Sequence, residues 1–209
     1  MPGLNDIREI GLKALGTITM QDDKQHNNIL HWKRLLFDYT INTDYKDDEF
    51  AWLSCIFALK AVYRGNFGVG SVIVNSIGEL ISFGHNEVFY PYFRSDRHAE
   101  MVVMNKFEEK YHNLSNFSGF TLYTSLESCP MCLVRLISSG IKRIYHIASD
   151  ETGGMTNRME ESLPEDWLEL AKGQDFGPAV CSTVLSNTAK EIFLSNANQL
   201  FEKLKSRRV

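Results

Sequence analysis

The chain has 209 residues, of which 44% are hydrophobic and 23% are charged, and its formal net charge is −4. Such a composition is typical of one globular domain with an extension, whose core is large enough to fold without a disulfide or a structural metal. The acidic balance excludes a general electrostatic attraction to nucleic acid or to an anionic membrane, but net charge alone says nothing about a local basic patch.

The four cysteines occur in a chain whose first residues, "MPGLNDIREIGLKALG", lack the layout of a secretory signal. We therefore expect a cytoplasmic protein. In that reducing compartment paired cysteines bind metal or react more often than they form disulfides. The longest apolar stretch, "FAWLSCIFALKAVY" from Phe50, is short and contains Lys60. It indicates a buried helix and no membrane partner.

The first half of the chain is predicted to contain helices and one strand pair. Residues 1–45 form a helical extension that packs on the domain, packs on a partner subunit or covers a pocket. A helix then begins at the acidic residues Asp47–Glu49, which suit a helix N-terminus, and ends at Gly65. "VGSVIVNSIGELISFGHNEV" is typical of two strands joined by a turn at Asn75–Gly78, and a helix from His98 to about Lys110 follows.

The second half alternates strands with helices. "GFTLYTSLES" is a predicted strand that runs into the helix "CPMCLVRLISSG", which Gly140 ends, and "KRIYHIAS" is the next strand. A helix over Pro164–Lys172, a last strand at "PAVCSTVLS" and a closing helix at "TAKEIFLSNANQLFEKLKS" follow. The alternation predicts an α/β fold with three layers, α/β/α, and a mixed five-stranded sheet. A helix separates the last two strands, which should therefore be parallel.

The most informative pattern combines a histidine with a cysteine pair. Cys129 and Cys132 are three residues apart at a predicted helix start, so both thiols project from one face, where the helix N-terminus favours thiolates. Cys-x-x-Cys alone is also found in redox sites and structural zinc sites, but no thioredoxin-like unit and no second such pair is present in the sequence. His98 offers a third ligand, and Glu100 follows it closely. Three protein ligands and one open position define a catalytic zinc site.

The segments "HAE" at His98 and "CPMC" at Cys129 resemble the signature of the zinc-dependent nucleobase and nucleoside deaminases. "FGVGSVIV" is similar to the family's first strand and "GHN" to its Gly-x-Asn element. One departure is Ser128, because the family usually has proline immediately before the first cysteine. The resemblance implies the cytidine-deaminase-like fold, with residues 1–45 as an extension and residues 46–209 as the deaminase domain.

The same resemblance implies roles for individual residues. It implies one Zn²⁺ per subunit, held by His98, Cys129 and Cys132, with water as the fourth ligand. Glu100 is the implied catalytic residue, which moves protons between this water and the base while ammonia leaves. Asn86 and Phe67 are the implied contacts to the substrate; a turn residue is the alternative interpretation of Asn86.

The substrate is predicted less directly. "TSLESCPMC" and the parallel strand pair are closest to the branch of guanine deaminases and tRNA adenosine deaminases. "GGMTNRMEESLPEDW" is similar to the segment from which a second carboxylate of guanine deaminases reaches the base. Glu160 is the best match for this carboxylate and is the implied second catalytic residue. Glu161 is the next match and an implied substrate contact. The alternative interpretation is that both glutamates belong to an exposed acidic stretch before a helix. We expect a free aminopurine or a related base, with a cytidine-type or dCMP-type substrate or tRNA adenosine as alternatives.

The predicted partners follow from the same comparison. Relatives in the family are usually dimers or larger oligomers, so the resemblance implies a homodimer, in which the N-terminal helices could serve the interface. Arg94 and Arg97 would meet the phosphate of a nucleotide or form local salt bridges. Nucleic acid is not the expected partner, because phosphate contacts need a basic surface. A catalytically inactive zinc scaffold would require the loss of Glu100 or a blocked pocket, and the presence of Glu100 argues against it.

Overall fold

A computed structural model describes residues 4–19 and 24–208 of the chain. The helices are α1 (Leu4–Gly16), α2 (Lys24–Asp38), α3 (Asp48–Tyr63), α4 (Ala99–Lys110), α5 (Pro130–Ser139), α6 (Met159–Ser162), α7 (Glu165–Ala171) and α8 (Thr183–Lys205). The strands are β1 (Gly70–Asn75), β2 (Leu80–His85), β3 (Phe120–Leu126), β4 (Arg143–Ala148) and β5 (Asp175–Pro178). Short 3₁₀ helices cover Thr156–Arg158 and Ser206–Arg208.

The five strands form one mixed sheet in the order β2-β1-β3-β4-β5. β1 is antiparallel to both β2 and β3, whereas β4 is parallel to both of its neighbours, β3 and β5. The predicted α/β class, the mixed five-stranded sheet and the parallel last pair are therefore confirmed. Parallel strands bring their carboxyl ends to one edge of the sheet, and the helix after β3 begins at that edge.

Helices cover both faces of the sheet. On one face, α3 and α8 pack against the strands around buried residues such as Leu53, Val72 and Ile192. On the other face, α4 and α5 pack around Val103 and Leu136. α3 is apolar on nearly all sides because it lies between the sheet and further helices. None of the described helices is both long enough and apolar enough to cross a membrane.

The two N-terminal helices pack against the outer side of α3. Leu15 of α1 and Leu36 of α2 are buried in the same apolar cluster as Trp52 of α3. The indole of Trp52 also donates a hydrogen bond to the Leu36 carbonyl oxygen over 2.7 Å. The region predicted as an extension thus shares its core with the rest of the chain, and the boundary at residue 45 stays a prediction.

Two acidic residues at the start of α3 fix the start of α8. Asp47 accepts hydrogen bonds from the Tyr123 hydroxyl and the Val180 amide, each over 2.7 Å. Asp48 accepts one from the Ser182 amide over 2.8 Å. Both carboxylates are buried, so these bonds position α8 relative to the sheet without competition from water.

The last strand lies earlier in the chain than predicted. "PAVCSTVLS" was expected to be extended, but β5 ends at Pro178 and α8 begins at Thr183. The Ser182 hydroxyl accepts a hydrogen bond from the Leu185 amide and so caps α8, which recruits the β-branched residues after it into a helix. Cys181 therefore lies in the connection before α8, half buried, and is not in a strand.

Candidate metal centre and active site

The three predicted metal ligands lie together at two helix starts. His98 is the N-cap residue of α4, Cys129 is the N-cap residue of α5, and Cys132 lies in the first turn of α5. One ligand atom from each residue lies within 4.8 Å of the others. The distance from His98 Nδ1 to Cys129 Sγ is 3.5 Å. Zinc bonds of about 2.0 Å to nitrogen and about 2.3 Å to sulfur at tetrahedral angles require a separation of roughly 3.5 Å between these atoms, so the residues fit a zinc ion.

The local electrostatics also suit a cation. A hydrogen bond from the Cys132 thiol, together with His98, lowers the pKa of Cys129 to about 4 against the opposing effect of burial. The pKa of Cys132 is raised because its thiol proton is held by Cys129 and because it is buried. Burial works to lower the pKa of His98, but the adjacent Cys129 sulfur raises it on balance. Thiolate and imidazole side chains of this kind are the usual protein ligands of zinc.

Glu100 lies beside these ligands and is 4% exposed. Its Oε1 accepts a hydrogen bond from the Ser128 hydroxyl over 3.1 Å. Burial raises the pKa of this carboxyl, and the charge of Cys129 adds to the effect. The pKa of this carboxyl group therefore lies closer to neutral pH than that of an exposed glutamate, which suits a group that must both accept and donate a proton.

A cavity of about 290 Å³ opens beside the cluster. Its polar lining includes Asn86, which is 2% exposed and whose Oδ1 accepts a hydrogen bond from the Val88 amide. The Nδ2 group of Asn86 donates no hydrogen bond within the described ranges. The full lining is Phe67, Val69, Asn86, His98, Glu100, Leu126, Glu127, Cys129, Pro130, Asp150, Gly153, Phe193, Phe201 and Leu204. Apolar walls with a few directed polar groups are typical of a small-molecule site.

The structure places two predicted residues elsewhere. Glu160 and Glu161 lie on the short helix α6, are exposed, and are not among the residues that line the cavity. The acidic residues that do line it, apart from Glu100, are Glu127 and Asp150. Glu127 follows β3 directly and precedes Ser128 and Cys129. Its position at the carboxyl end of a strand, close to a predicted metal ligand, is the feature of the sequence that could have placed it in the site.

Glu127 and Asp150 organise the loop that follows β4. Glu127 is buried and accepts hydrogen bonds from the backbone amides of Asp150 and Asn157, each over 3.1 Å. Asp150 uses Oδ1 to accept bonds from the amides of Thr152 and Gly153. No hydrogen bond to Asp150 Oδ2 is found in the part of the chain that the structure describes.

The two arginines before His98 are paired locally. Arg94 forms a salt bridge with Asp96, with a nitrogen–oxygen distance of 2.7 Å. Arg97 pairs with Glu87. These contacts support the interpretation that both guanidinium groups are used within the loop. Arg207 and Arg208 line a second cavity, of about 350 Å³, which shares Phe67, His98 and Leu204 with the first.

The family comparison agrees with this geometry. Residues 45–148 match the cytidine and deoxycytidylate deaminase zinc-binding region. The chain belongs to this deaminase superfamily. Since the match is to a zinc-binding region and the cluster fits zinc, the family assignment also supports zinc as the metal.

Two curated relatives are tRNA-specific adenosine deaminases. The protein of Bacillus subtilis is 34% identical over 109 residues, which cover 52% of this chain and 66% of that protein. The protein of Haemophilus influenzae is 31% identical over 115 residues, which cover 54% of this chain and 64% of that protein. The matched segment thus spans just under two thirds of the length of each.

Solved structures show the same fold. A chain from a study of A-to-I editing by tRNA:A34 deaminases has a TM-score of 0.57 and 25% identity, covering 68% of this chain and 97% of that chain. A guanine deaminase from Nitrosomonas europaea has a TM-score of 0.54 and 19% identity, covering 70% of this chain and 84% of that chain. At that identity the second likeness concerns the fold alone.

Proposed function

We propose that the protein is a hydrolytic deaminase that removes the exocyclic amino group of a purine-type base and releases ammonia. One observation carries this proposal: Glu100 is buried beside His98, Cys129 and Cys132, and a base-sized cavity opens on the same group. We propose one zinc ion per subunit with water in the fourth position. When bound there, zinc supplies the Lewis acidity that activates water for attack on the ring carbon.

The residues of the chain would do the remaining work. Glu100 accepts one proton from the attacking water and passes it to a ring nitrogen, and then takes the proton of the newly added hydroxyl group and passes it to the departing amine. Asn86 presents its free Nδ2 group to an acceptor on the base. Phe67 and Leu126 provide apolar walls that exclude bulk water and hold a planar ring.

The size of the cavity favours a small planar substrate. Its volume of about 290 Å³ lies just below the roughly 300–1,000 Å³ typical of small-molecule pockets. A free aminopurine, guanine in particular, is therefore our first candidate. Asp150 Oδ2 can accept an N–H from such a base, and we propose this oxygen for the carboxylate contact that the sequence had assigned to Glu160.

A second candidate is an adenosine within tRNA. It is favoured by the similarity to tRNA-specific adenosine deaminases and by Arg207 and Arg208, which line the cavity adjoining the site. The net charge of −4 and the local pairing of Arg94 and Arg97 oppose a broad phosphate-binding surface.

Ammonia release by the zinc-loaded protein tests the proposal and separates the candidates. The panel contains guanine, guanosine, adenine, cytosine, cytidine, dCMP, ammeline and an adenosine-bearing tRNA anticodon stem-loop, with Glu100→Gln protein as the matched control. Turnover of guanine or ammeline, absent from the control, would support the first candidate. Turnover of the stem-loop alone would support the second, and no release from any compound would refute deamination.

A further inference from the structure

The hydroxyl of Ser128 donates a hydrogen bond to Glu100 Oε1 over 3.1 Å. Ser128 is 1% exposed and Glu100 is 4% exposed, so bulk water does not compete for this bond. The family signature has proline at this place, and proline offers no hydrogen-bond donor. The bond to Glu100 is therefore a property of this chain's own sequence.

The backbone contacts of Ser128 do not require serine. Its carbonyl oxygen accepts a hydrogen bond from the Met155 amide over 2.9 Å, which a proline would also allow. Within residues 4–19 and 24–208, the amide of Ser128 donates no hydrogen bond, so the missing N–H of a proline would cost little. The side-chain hydroxyl is thus the hydrogen-bonded group that this chain has at this position and the family pattern lacks.

We propose that Ser128 is a positioning residue for the deamination reaction. Its hydroxyl holds Oε1 of Glu100, so that the carboxylate keeps one orientation and presents Oε2 for proton transfer. The proposal rests on the proposed function of Glu100. A glutamate side chain otherwise has a broad choice of terminal torsion angles, and a small misplacement of a reacting group can cost a large factor in rate.

Three substitutions of Ser128 separate the hydroxyl from the backbone. Ser128→Ala and Ser128→Pro both remove the donor, and the second restores the family residue, whereas Ser128→Thr keeps a hydroxyl. With zinc content equal to that of the wild type, we expect kcat to fall about tenfold in the Ala and Pro variants, the size expected for the loss of a hydrogen bond to a charged group. KM should stay unchanged, and Ser128→Thr should restore kcat.

Ser71 provides the matched control. It is a fully buried serine of β1 whose hydroxyl donates to the Tyr123 carbonyl oxygen over 2.8 Å, and it does not line the cavity. Ser71→Ala should lower the melting temperature by about as much as Ser128→Ala does, and it should leave kcat unchanged. Wild-type kcat in both Ser128→Ala and Ser128→Pro would overturn the proposal. So would normal kcat in Ser128→Pro alone, because the backbone and not the hydroxyl would then be responsible.

A double-mutant cycle on thermal unfolding tests the bond without reference to activity. Ser128→Ala, Glu100→Ala and the double variant are compared with the wild type as zinc-loaded proteins, with the zinc content of each measured. If the bond exists, the two single effects should not add, because each variant removes the same interaction. Additive effects would overturn the bond itself. If the cycle shows coupling but the wild type releases no ammonia, the proposed function fails, and with it the role of Ser128 in that reaction.

Discussion

The loop after β4 should not tolerate a side chain at Gly154. A methyl group there would lie 2.5 Å from Cδ of Glu127 and 2.6 Å from the carbonyl oxygen of Asp150. Neither neighbour can move freely, because Glu127 accepts hydrogen bonds from the amides of Asp150 and Asn157. Gly154→Ala must therefore displace the loop after β4, which is the loop that places Asp150 in the wall of the cavity.

The expected cost follows from these contacts. Overpacking of this kind costs about 1–3 kcal/mol, and each kcal/mol shifts Tm by roughly 2–4 °C in a chain of this size, so Tm should fall by roughly 2–12 °C. Thermal unfolding followed by circular dichroism measures the change. Gly177→Ala is the control, because an added methyl group at Gly177 has no heavy atom within 4 Å. Equal melting temperatures for the two variants would refute the packing of Glu127 against this loop.

Three further variants test other parts of the structure. Cys132→Ser should reduce bound zinc from about one ion per chain to almost none after mild chelation. Cys181→Ser is the control, because this half-buried thiol lies outside the cluster, and it should keep its zinc. Equal zinc contents in the two variants would contradict the ligand assignment. Phe201 and Phe67 pack together in the cavity wall, with 5.1 Å between their ring centroids. Phe201→Ala should therefore raise KM about tenfold with a smaller change in kcat. An unchanged KM would show that Phe201 does not contact the substrate. Deletion of residues 1–45 exposes Trp52, which is fully buried, and should abolish cooperative unfolding; a soluble, cooperatively folded product would make those residues a separable extension.

The sequence predicted those features that local patterns specify. The alternation of strands and helices gave the mixed sheet, and the helix between β4 and β5 required their parallel pairing. His98, Cys129 and Cys132 could be found because they lie at the starts of two helices, and helix starts gather at the carboxyl edge of the sheet. Their meeting is thus a consequence of topology.

Features that depend on contacts between distant segments could not be predicted in the same way. The β-branched residues after Cys181 suggested a strand, but the cap at Ser182 and its bond to Asp48 make them the start of α8. Besides Glu100, the carboxylates at the cavity are Glu127 and Asp150, which the fold of the β4–α6 loop brings together. Glu160 matched a family segment by sequence alone, and the path of that loop leaves it exposed.

The most direct test combines zinc content with turnover in one pair of proteins. The wild type and Glu100→Gln are compared for bound zinc and for ammonia release from the best substrate of the panel. We predict one zinc ion per chain in both proteins and a fall in kcat of at least about 100-fold in the variant, as expected for the loss of a general acid–base group. A wild-type protein that binds no zinc, or a variant that keeps its turnover, would contradict the assignment of this cluster as the catalytic centre.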